Sequence, residues 1–418
     1  MNIIDDLKWR GAINQQTDAE GLKEIVKEKK IGLYAGIDPT GDSMHVGHLI
    51  PFMILKRFQL AGYRPYILIG GATGSIGDPS GKKSERTLQT MEQVEHNQQC
   101  LTKQMEGLFG KDGSFNIVNN YDWLSKLSLI DFLRDYGKSF NVNTMLNKEI
   151  VSSRLETGIS YTEFTYQILQ GIDFANLFKA HDVQLEIGGS DQWGNITGGI
   201  ELIHKLHGSD AKAFGLTIPL MLKADGTKFG KTEGGAVWLD PEKTSPYEFY
   251  QFWINTDDRD VIKYLKYFTF LSHEEIEDLA DKVKNEPYKR EAQRRLAEAV
   301  TEFVHGKDAV LEAENITKAL FSGDIKQLTT SEVEQGLKNM PSMEVTNEKK
   351  NIIEWLCDDT KIEPSRRQAR EDVKNGAVRI NGDKVTDVDF VIDPNAYFDG
   401  KFVVVRRGKK RYFLAKVK

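Results

Sequence analysis

Cysteine is nearly absent from this 418-residue chain: Cys100 and Cys357 are the only two, allowing at most one disulfide and no cysteine-rich zinc site. Long apolar runs are missing as well, and no stretch approaches the roughly 20 uninterrupted apolar residues of a membrane span. The opening segment, MNIIDDLKWR, carries early acids and lacks the apolar core of a secretory leader. There is no internal repeat and no low-complexity tract. These absences predict a cytoplasmic protein with no membrane association, no structural zinc and no metal ligand set of its own. What remains is ordinary globular material. Hydrophobic residues make up 39%, too many for a disordered chain, and the length predicts two or three domains.

The net charge of −6 is unevenly spread. From Lys361 to Lys418 there are 15 Lys or Arg against 8 Asp or Glu, a net +7, which leaves −13 for the rest. An acidic body with a basic end predicts that the end faces a nucleic acid, although a merely basic surface has the same signature.

Between about 31 and 220, short apolar runs alternate with helical patterns. IGLYAGI (31–37) and PYILIG (65–70) read as buried parallel strands, with a helix from His48 to Ala61 between them. NIVNN (116–120), VQLEIGG (183–189) and AFGLTIPLML (213–222) are further strand candidates. The pattern predicts an α/β fold, a Rossmann-like parallel sheet that binds ligands at the carboxyl ends of its strands. Residues 1–222 are expected to form that sheet domain, and 223–245 a mobile loop and connection. A helical domain over 246–320 and a linker over 321–350, holding at most one short helix, lead to a small basic domain over 351–418.

After the first strand comes AGIDPTGDSMHVGHL (35–49). His45 and His48 stand three apart where a helix begins, and free N–H groups at a helix start attract anions. Gly47 leaves room for an adenine ring against the backbone, and Thr40 adds a hydroxyl. Such fixed donors suit negative charge on a nucleotide phosphate. His204 and His207 share the H-x-x-H spacing but lie in a charged stretch with no strand or glycine turn before it, so they read as surface helix. Farther on, KADGTKFGKTEGGAVW (223–238) offers Lys228, Lys231 and Thr232 to phosphates. It is not a P-loop, because three residues separate Gly226 from Gly230 where that motif requires four. Lys82 and Arg86 in GKKSER (81–86) form a third basic cluster, and three such clusters near strand ends favour a shared triphosphate.

HVGH resembles the HIGH signature of the class I aminoacyl-tRNA synthetases, and KFGKT resembles their KMSKS loop, with Phe229, Gly230 and Thr232 departing from its consensus. The resemblance covers essentially the whole chain and is greatest to the tyrosine-activating subset of bacterial type. It implies ATP as a substrate accompanied by Mg²⁺, no prosthetic group, L-tyrosine and tRNA(Tyr) as partners, and a homodimer joined through the α/β domain. It also implies roles. Thr40 and His45 would contact the γ-phosphate, while Lys82, Arg86, Lys228, Lys231 and Thr232 close over departing pyrophosphate. Gly36, Asp38, Gly47, His48, Gly189 and Asp191 would hold the nucleoside, with Lys231 also touching ATP. Ala35 stands where some relatives have a side chain that bonds ribose.

The segment YTEFTYQILQGIDFANLF (161–178) reads as a helix with Tyr166, Gln170 and Asp173 on one face. From pattern alone that face suits solvent as well as a site. The resemblance implies that Tyr34 and Asp173 bond the substrate phenol and that Asp78, Tyr166 and Gln170 hold its ammonium, with Asn120 and Gln192 in the polar surround. A pocket built to bond a hydroxyl disfavours phenylalanine, which leaves its polar groups unpaired.

In PSRRQAREDVKNGAVRINGDKV (364–385), Ser365 and Gln368 read as a capping box. Arg367, Arg370 and Lys374 share a helix face, and Asn381-Gly382 marks a hairpin turn. The segment resembles an S4-type RNA-binding domain, a small α+β module in which Arg366, Arg367, Arg370, Lys374, Arg406 and Arg407 would face RNA phosphates. Two rivals stand beside this reading. One is another adenylate-forming ligase of the same fold, such as a tryptophan-activating or pantothenate-synthetase-like enzyme, disfavoured by Tyr34, Asp173 and the tail. The other is a non-catalytic RNA-binding relic, disfavoured because the phosphate donors are all present.

Overall fold

The computed structural model describes residues 2–80, 87–232, 235–408 and 411–418. The chain divides into two compact units, Met1–Lys243 with Trp253–Val300, and Thr244–Phe252 with Thr301–Lys418.

The first unit is built on a six-stranded sheet. Its strands are β1 (Gln15–Gln16), β2 (Gly32–Ile37), β3 (Pro65–Ile69), β4 (Asn116–Asn119), β5 (Val183–Gly189) and β6 (Phe214–Ile218), in the order β1-β6-β5-β2-β3-β4. All neighbours are parallel except β1, which runs antiparallel to β6. The five parallel strands match the apolar runs of the sequence, because strands covered on both faces have no need to alternate. The two-residue β1, QQ, has no apolar pattern and gave no sign of itself. From β2 the chain winds outward through β3 to β4, then returns to β5 and β6 on the other side. The β2–β5 boundary is therefore the topological switch point, where parallel sheets open a crevice at their carboxyl ends.

Helix Leu49–Leu60 links β2 to β3, with His48 at its N-cap and eight of its residues buried. Helices Tyr161–His181 and Trp193–His207 flank β5 and lie close together. Glycine permits this approach: a Cβ added at Gly199 would lie 3.2 Å from the Phe174 ring. Helices Asp258–Phe268 and His273–Asn285 also belong to this unit. Arg57 and Arg10 both donate to the Lys266 carbonyl, and Arg57 also to that of Tyr267, satisfying acceptors that a helix end leaves open, while Arg10 reaches the Leu271 carbonyl in the loop beyond. The KFGKT segment contributes a small ladder, β7 (Lys231–Thr232) against β8 (Gly235–Ala236).

In the second unit, β9 (Ser342–Val345), β11 (Val378–Ile380), β12 (Asp383–Val385), β14 (Phe402–Arg407) and β15 (Arg411–Val417) form one sheet, while β10 (Lys350–Asn351) pairs with β13 (Val391–Ile392). The sheet has apolar residues on both faces. Val403, Val405 and Ala415 pack with Trp355, Ala369 and Val373, whereas Phe402, Val404 and Leu414 pack with Ile316, Ile325, Val333 and Leu337. This divides the chain differently from the sequence reading. Helices expected as one domain over 246–320 are shared between the two units, and the expected linker 321–350 is folded. It contains helix Thr330–Leu337 and edge strand β9, and its few apolar residues cover the second face of the sheet. Few is enough when each is fully buried.

Helix Arg366–Lys374 starts at Ser365, whose Oγ accepts from Gln368 N at 3.2 Å. The reciprocal half of the expected capping box is missing, because the Gln368 amide donates to Asp372 Oδ1 instead, at 2.8 Å. Asn381 and Gly382 make the hairpin turn at φ 48° and 92°.

Candidate active site

A cavity of about 240 Å³ opens at the switch point. It brings together residues from distant parts of the sequence: Tyr34 and Gly36 of β2, Asp38 and Thr40 beyond it, His48, Asp78 beyond β3, Tyr166, Gln170 and Asp173 of one helix, Gly189 at the end of β5 and Gln192 beyond it. Each strand end delivers its loop to the same crevice, which is how parallel topology assembles a site.

Asp173, only 2% exposed, is held by two donors: Asn120 Nδ2 to Oδ2 at 2.9 Å and Trp123 Nε1 to Oδ1 at 2.8 Å. Burial nevertheless pushes its carboxyl up to about 8, those two bonds opposing the shift. Asn120 does not line the cavity. It ties the floor together by also donating to Thr73 Oγ1 and accepting from Ala72 N. Thr73 in turn donates to Asp38 Oδ1 at 2.7 Å, and Tyr166 Oη donates to Asp38 Oδ2 at 2.8 Å. Burial, followed by the neighbouring carboxylates, holds the phenols of Tyr34 and Tyr166 far above the ordinary tyrosine range.

A chain of amides forms the wall. Gln170 Nε2 donates to Glu186 Oε1, Asn195 Nδ2 donates to Gln170 Oε1, and Gln192 Nε2 donates to Asp78 Oδ2, each at 2.9 Å. Gln192 also reaches Asp191, whose carboxyl is raised first by burial and then by Asp78. The described lining contains four carboxyls, Asp38, Asp78, Asp173 and Glu186, with no Lys or Arg. That surface is suited to an ammonium group.

At the mouth, the His45 and His48 rings stack with centroids 3.8 Å apart. His48 Nδ1 accepts from His45 N, and His45 Nδ1 accepts from Gly47 N, so each ring in its neutral form carries its hydrogen on Nε2. Burial, with a smaller push from His45, lowers His48 to about 3, so it donates without carrying charge at neutral pH. A Cβ at Gly47 would come within 2.9 Å of the His45 ring.

The backbone of the KFGKT region packs on HVGH. Val46 N donates to Val237 O, and Val237 N donates to Gly230 O. Two of the departures from the KMSKS consensus have physical reasons. Gly230 lies at φ 84°, and a Cβ there would stand 3.0 Å from Val46 and 3.3 Å from Gly47 N. Phe229 is buried among Trp253, Tyr264 and Phe268. Lys228 is exposed, and Lys231 and Thr232 contribute the backbone of β7. Lys82 and Arg86 lie outside the described residues.

In the second unit, Arg367, Arg370 and Lys374 are exposed on their helix, opposite the buried Ala369 and Val373. Arg366 is exposed and pairs with Asp358 at 2.5 Å. Arg407 is committed internally, 2.8 Å from Glu363 and 2.9 Å from Asp372, and Arg406 lies over the Tyr412 ring.

Sequence reasoning missed Trp123, Thr73, Asn195 and Glu186. Only Glu186 carried a signal, as the one charged residue in the apolar core of a strand.

Residues 26–322 match the family described as tRNA synthetases class I (W and Y), and residues 332–415 match the SYY-like C-terminal domain of tyrosine–tRNA ligases. The tyrosine–tRNA ligase of Lactiplantibacillus plantarum is 75% identical over 418 residues, covering 100% of both chains. Tyrosine–tRNA ligase 1 of Enterococcus faecalis is 70% identical over 417 residues, again covering 100% of both. Among solved structures, a C-terminally truncated mitochondrial tyrosyl-tRNA synthetase of Aspergillus nidulans is 33% identical with a TM-score of 0.70, covering 77% of this chain and 94% of that one. With the switch-point cavity and the HVGH turn, these likenesses show that the chain belongs to the tyrosine–tRNA ligases of the class I aminoacyl-tRNA synthetase family.

Proposed function

We propose that the cavity between β2 and β5 is where this ligase holds tyrosine and joins it to AMP. The observation that carries the reading is that a buried Tyr34 hydroxyl and a buried Asp173 carboxyl line one cavity, on a wall of acids with no described cation. Tyr34 and Asp173 take the phenol. Asp78, Tyr166 and Gln170 hold the ammonium, and Asn120 and Gln192 keep Asp173 and Asp78 oriented.

The tyrosine carboxylate oxygen attacks the α-phosphorus of ATP, the bond to the bridging oxygen breaks, and pyrophosphate leaves with the electron pair. A ribose hydroxyl at the tRNA end then attacks the tyrosyl carbonyl carbon, and AMP departs. Neither step requires a protein nucleophile, so catalysis rests on positioning and on donors fixed before charge develops. Thr40 and the Nε2–H of His45 face the γ-phosphate. His48, Gly47, Gly36, Asp38, Gly189 and Asp191 take the nucleoside. Lys228, Lys231 and Thr232, with Lys82 and Arg86, close on the pyrophosphate. Mg²⁺ accompanies the triphosphate, and no cluster of three or more His, Cys, Asp or Glu among the described residues makes a cage for it.

Exposed Arg367, Arg370 and Lys374 take tRNA phosphates. The exposed Leu129 (69%), Ile130 (66%) and Val142 (57%) support a homodimer, which sedimentation at micromolar concentration tests. The site of action is the cytoplasm; among the described residues no helix is long and apolar enough to cross a membrane.

The test of the pocket is ATP–pyrophosphate exchange without tRNA for Tyr34→Phe, offered tyrosine and phenylalanine separately. The KM for tyrosine should rise about three- to tenfold, the loss of one hydrogen bond, with phenylalanine unaffected. Equal changes for both amino acids would remove Tyr34 from the phenol site.

A further inference from the structure

Glu186 has no part in the mechanism above. It lies within β5, is 3% exposed, and lines the cavity. One carboxylate oxygen accepts from Gln170. The other, like Tyr34 Oη, is buried with no partner at ordinary hydrogen-bond geometry. The two are cross-strand neighbours, Tyr34 standing opposite Glu186 in the β2–β5 register, and each acts on the other as a hydrogen-bond partner beyond that geometry. The Tyr34 hydroxyl also feels the charge of Asp173.

We propose that Glu186 is a positioning residue for the substrate phenol: Glu186, Tyr34, the phenol and Asp173 form a row of hydrogen-bonded groups that closes fully only when the two carboxyls hold one proton between them. The inference rests on the reading that this cavity seats the phenol between Tyr34 and Asp173. Three contacts link the four groups. Tyr34 and the phenol each bring one hydrogen, so the third must come from a carboxyl. If Glu186 carries it, every bond points toward Asp173; if Asp173 carries it, every bond points back. With neither protonated, one contact joins two acceptors and is lost. With both protonated, two hydrogens meet at one contact.

The groups around Glu186 make this state accessible. Tyr34 approaches from β2, and helix Tyr161–His181 supplies Gln170 and, across the cavity, Asp173. Helix Trp193–His207 supplies Asn195 through Gln170, β6 offers Gly215 opposite, and uncharged His48 lines the same cavity. Asp38 acts on Asp173 and Tyr166 acts on Tyr34. No cation is among them. Burial therefore raises both carboxyls above their ordinary values, moving the singly protonated state from acid toward neutral pH.

The experiment is equilibrium dialysis of tyrosine from pH 6 to 9 (range chosen to span the two carboxyls), using the full chain, Glu186→Gln, Tyr34→Phe and the double variant. The parent should lose about three- to tenfold in affinity on the alkaline side, the equivalent of one hydrogen bond. Glu186→Gln, whose amide donates at every pH, should lack that loss. In the Tyr34→Phe background Glu186→Gln should change nothing, because the row is already cut. Titration of the tyrosine ammonium is common to all four and cancels in the ratios. A parent with no alkaline loss overturns the proposal even if every variant misfolds. So does a Glu186→Gln profile that matches the parent, or an equal Glu186→Gln effect with and without the Tyr34 hydroxyl. Unchanged tyrosine affinity in Tyr34→Phe marks the different failure, that of the cavity reading itself, and the row falls with it.

Discussion

The cavity of the first unit and the helix Arg366–Lys374 of the second are both charged, and as ligand surfaces, the role proposed for each, they would work by opposite physics. Two of the cavity's four acids, Asp173 and Glu186, are buried, and specific donors hold them, as Asn120 and Trp123 hold Asp173. Arg367, Arg370 and Lys374 stand in water. A desolvated group discriminates because an unmatched partner leaves it unpaired, a penalty of roughly 1–3 kcal/mol. An exposed cation attracts any phosphate, weakly and at long range, and salt screens it. On the proposed reading, the same chain selects a small molecule by shape and pairing, and gathers a large polyanion by field.

The largest effect that could break this contrast is Asp173→Ala. It removes the acceptor proposed for the phenol and strands two buried donors, Asn120 Nδ2 and Trp123 Nε1. Tyrosine-dependent pyrophosphate exchange should fall at least about a hundredfold in kcat/KM, the equivalent of roughly 3 kcal/mol. Affinity for tRNA should be unchanged. Exchange that survives within tenfold would mean the cavity does not discriminate through Asp173.

A smaller effect comes from Arg370→Ala. Removing one exposed phosphate contact should weaken tRNA binding by a few-fold, leave pyrophosphate exchange intact, and reduce the salt dependence of binding by about one unit of slope. Binding measured between 50 and 200 mM salt, a range in which such contacts respond strongly, separates the outcomes. An unchanged slope would show that this helix face touches no phosphate. Arg407 is the wrong place for the test, because its pairs with Glu363 and Asp372 make it part of the fold.

How much could be read in advance follows the same division. The parallel strands were legible because each is one apolar run, and helix Arg366–Lys374 because a local period of 3.6 separates Ala369 and Val373 from the arginines. In helix Tyr161–His181, periodicity placed Tyr166, Gln170 and Asp173 on one face but could not say whether that face met water or a cavity. The answer depends on β2, β4 and β5, which are remote in sequence. Trp123 and Asn195 gave no signal because each acts only through a partner that topology brings near. The segment 321–350 was misjudged because apolar content was counted rather than placed: Ile325, Leu328, Val333 and Leu337 all lie on one sheet face. Arg406 and Arg407 show the converse, since a basic run in sequence counts charges without showing which already have partners.

The smallest effect is one of stability and needs no ligand. Burial raises the Glu186 carboxyl to about 7 from an ordinary 4.5, so the folded chain binds its proton more tightly than the unfolded chain does. Stability from this group is fully present below pH 4.5 and is lost as pH rises through about 7. Glutamine has the same shape and no proton to lose. In the absence of tyrosine, Glu186→Gln should therefore melt close to the parent at pH 5 and a few degrees above it at pH 8. Arg370→Ala, altering a group in water, should shift melting little at either pH. If Glu186→Gln gains nothing at pH 8, the carboxylate is better solvated in the empty cavity than its burial implies, and the contrast between a dry site and a wet one would have to be drawn at Asp173 alone.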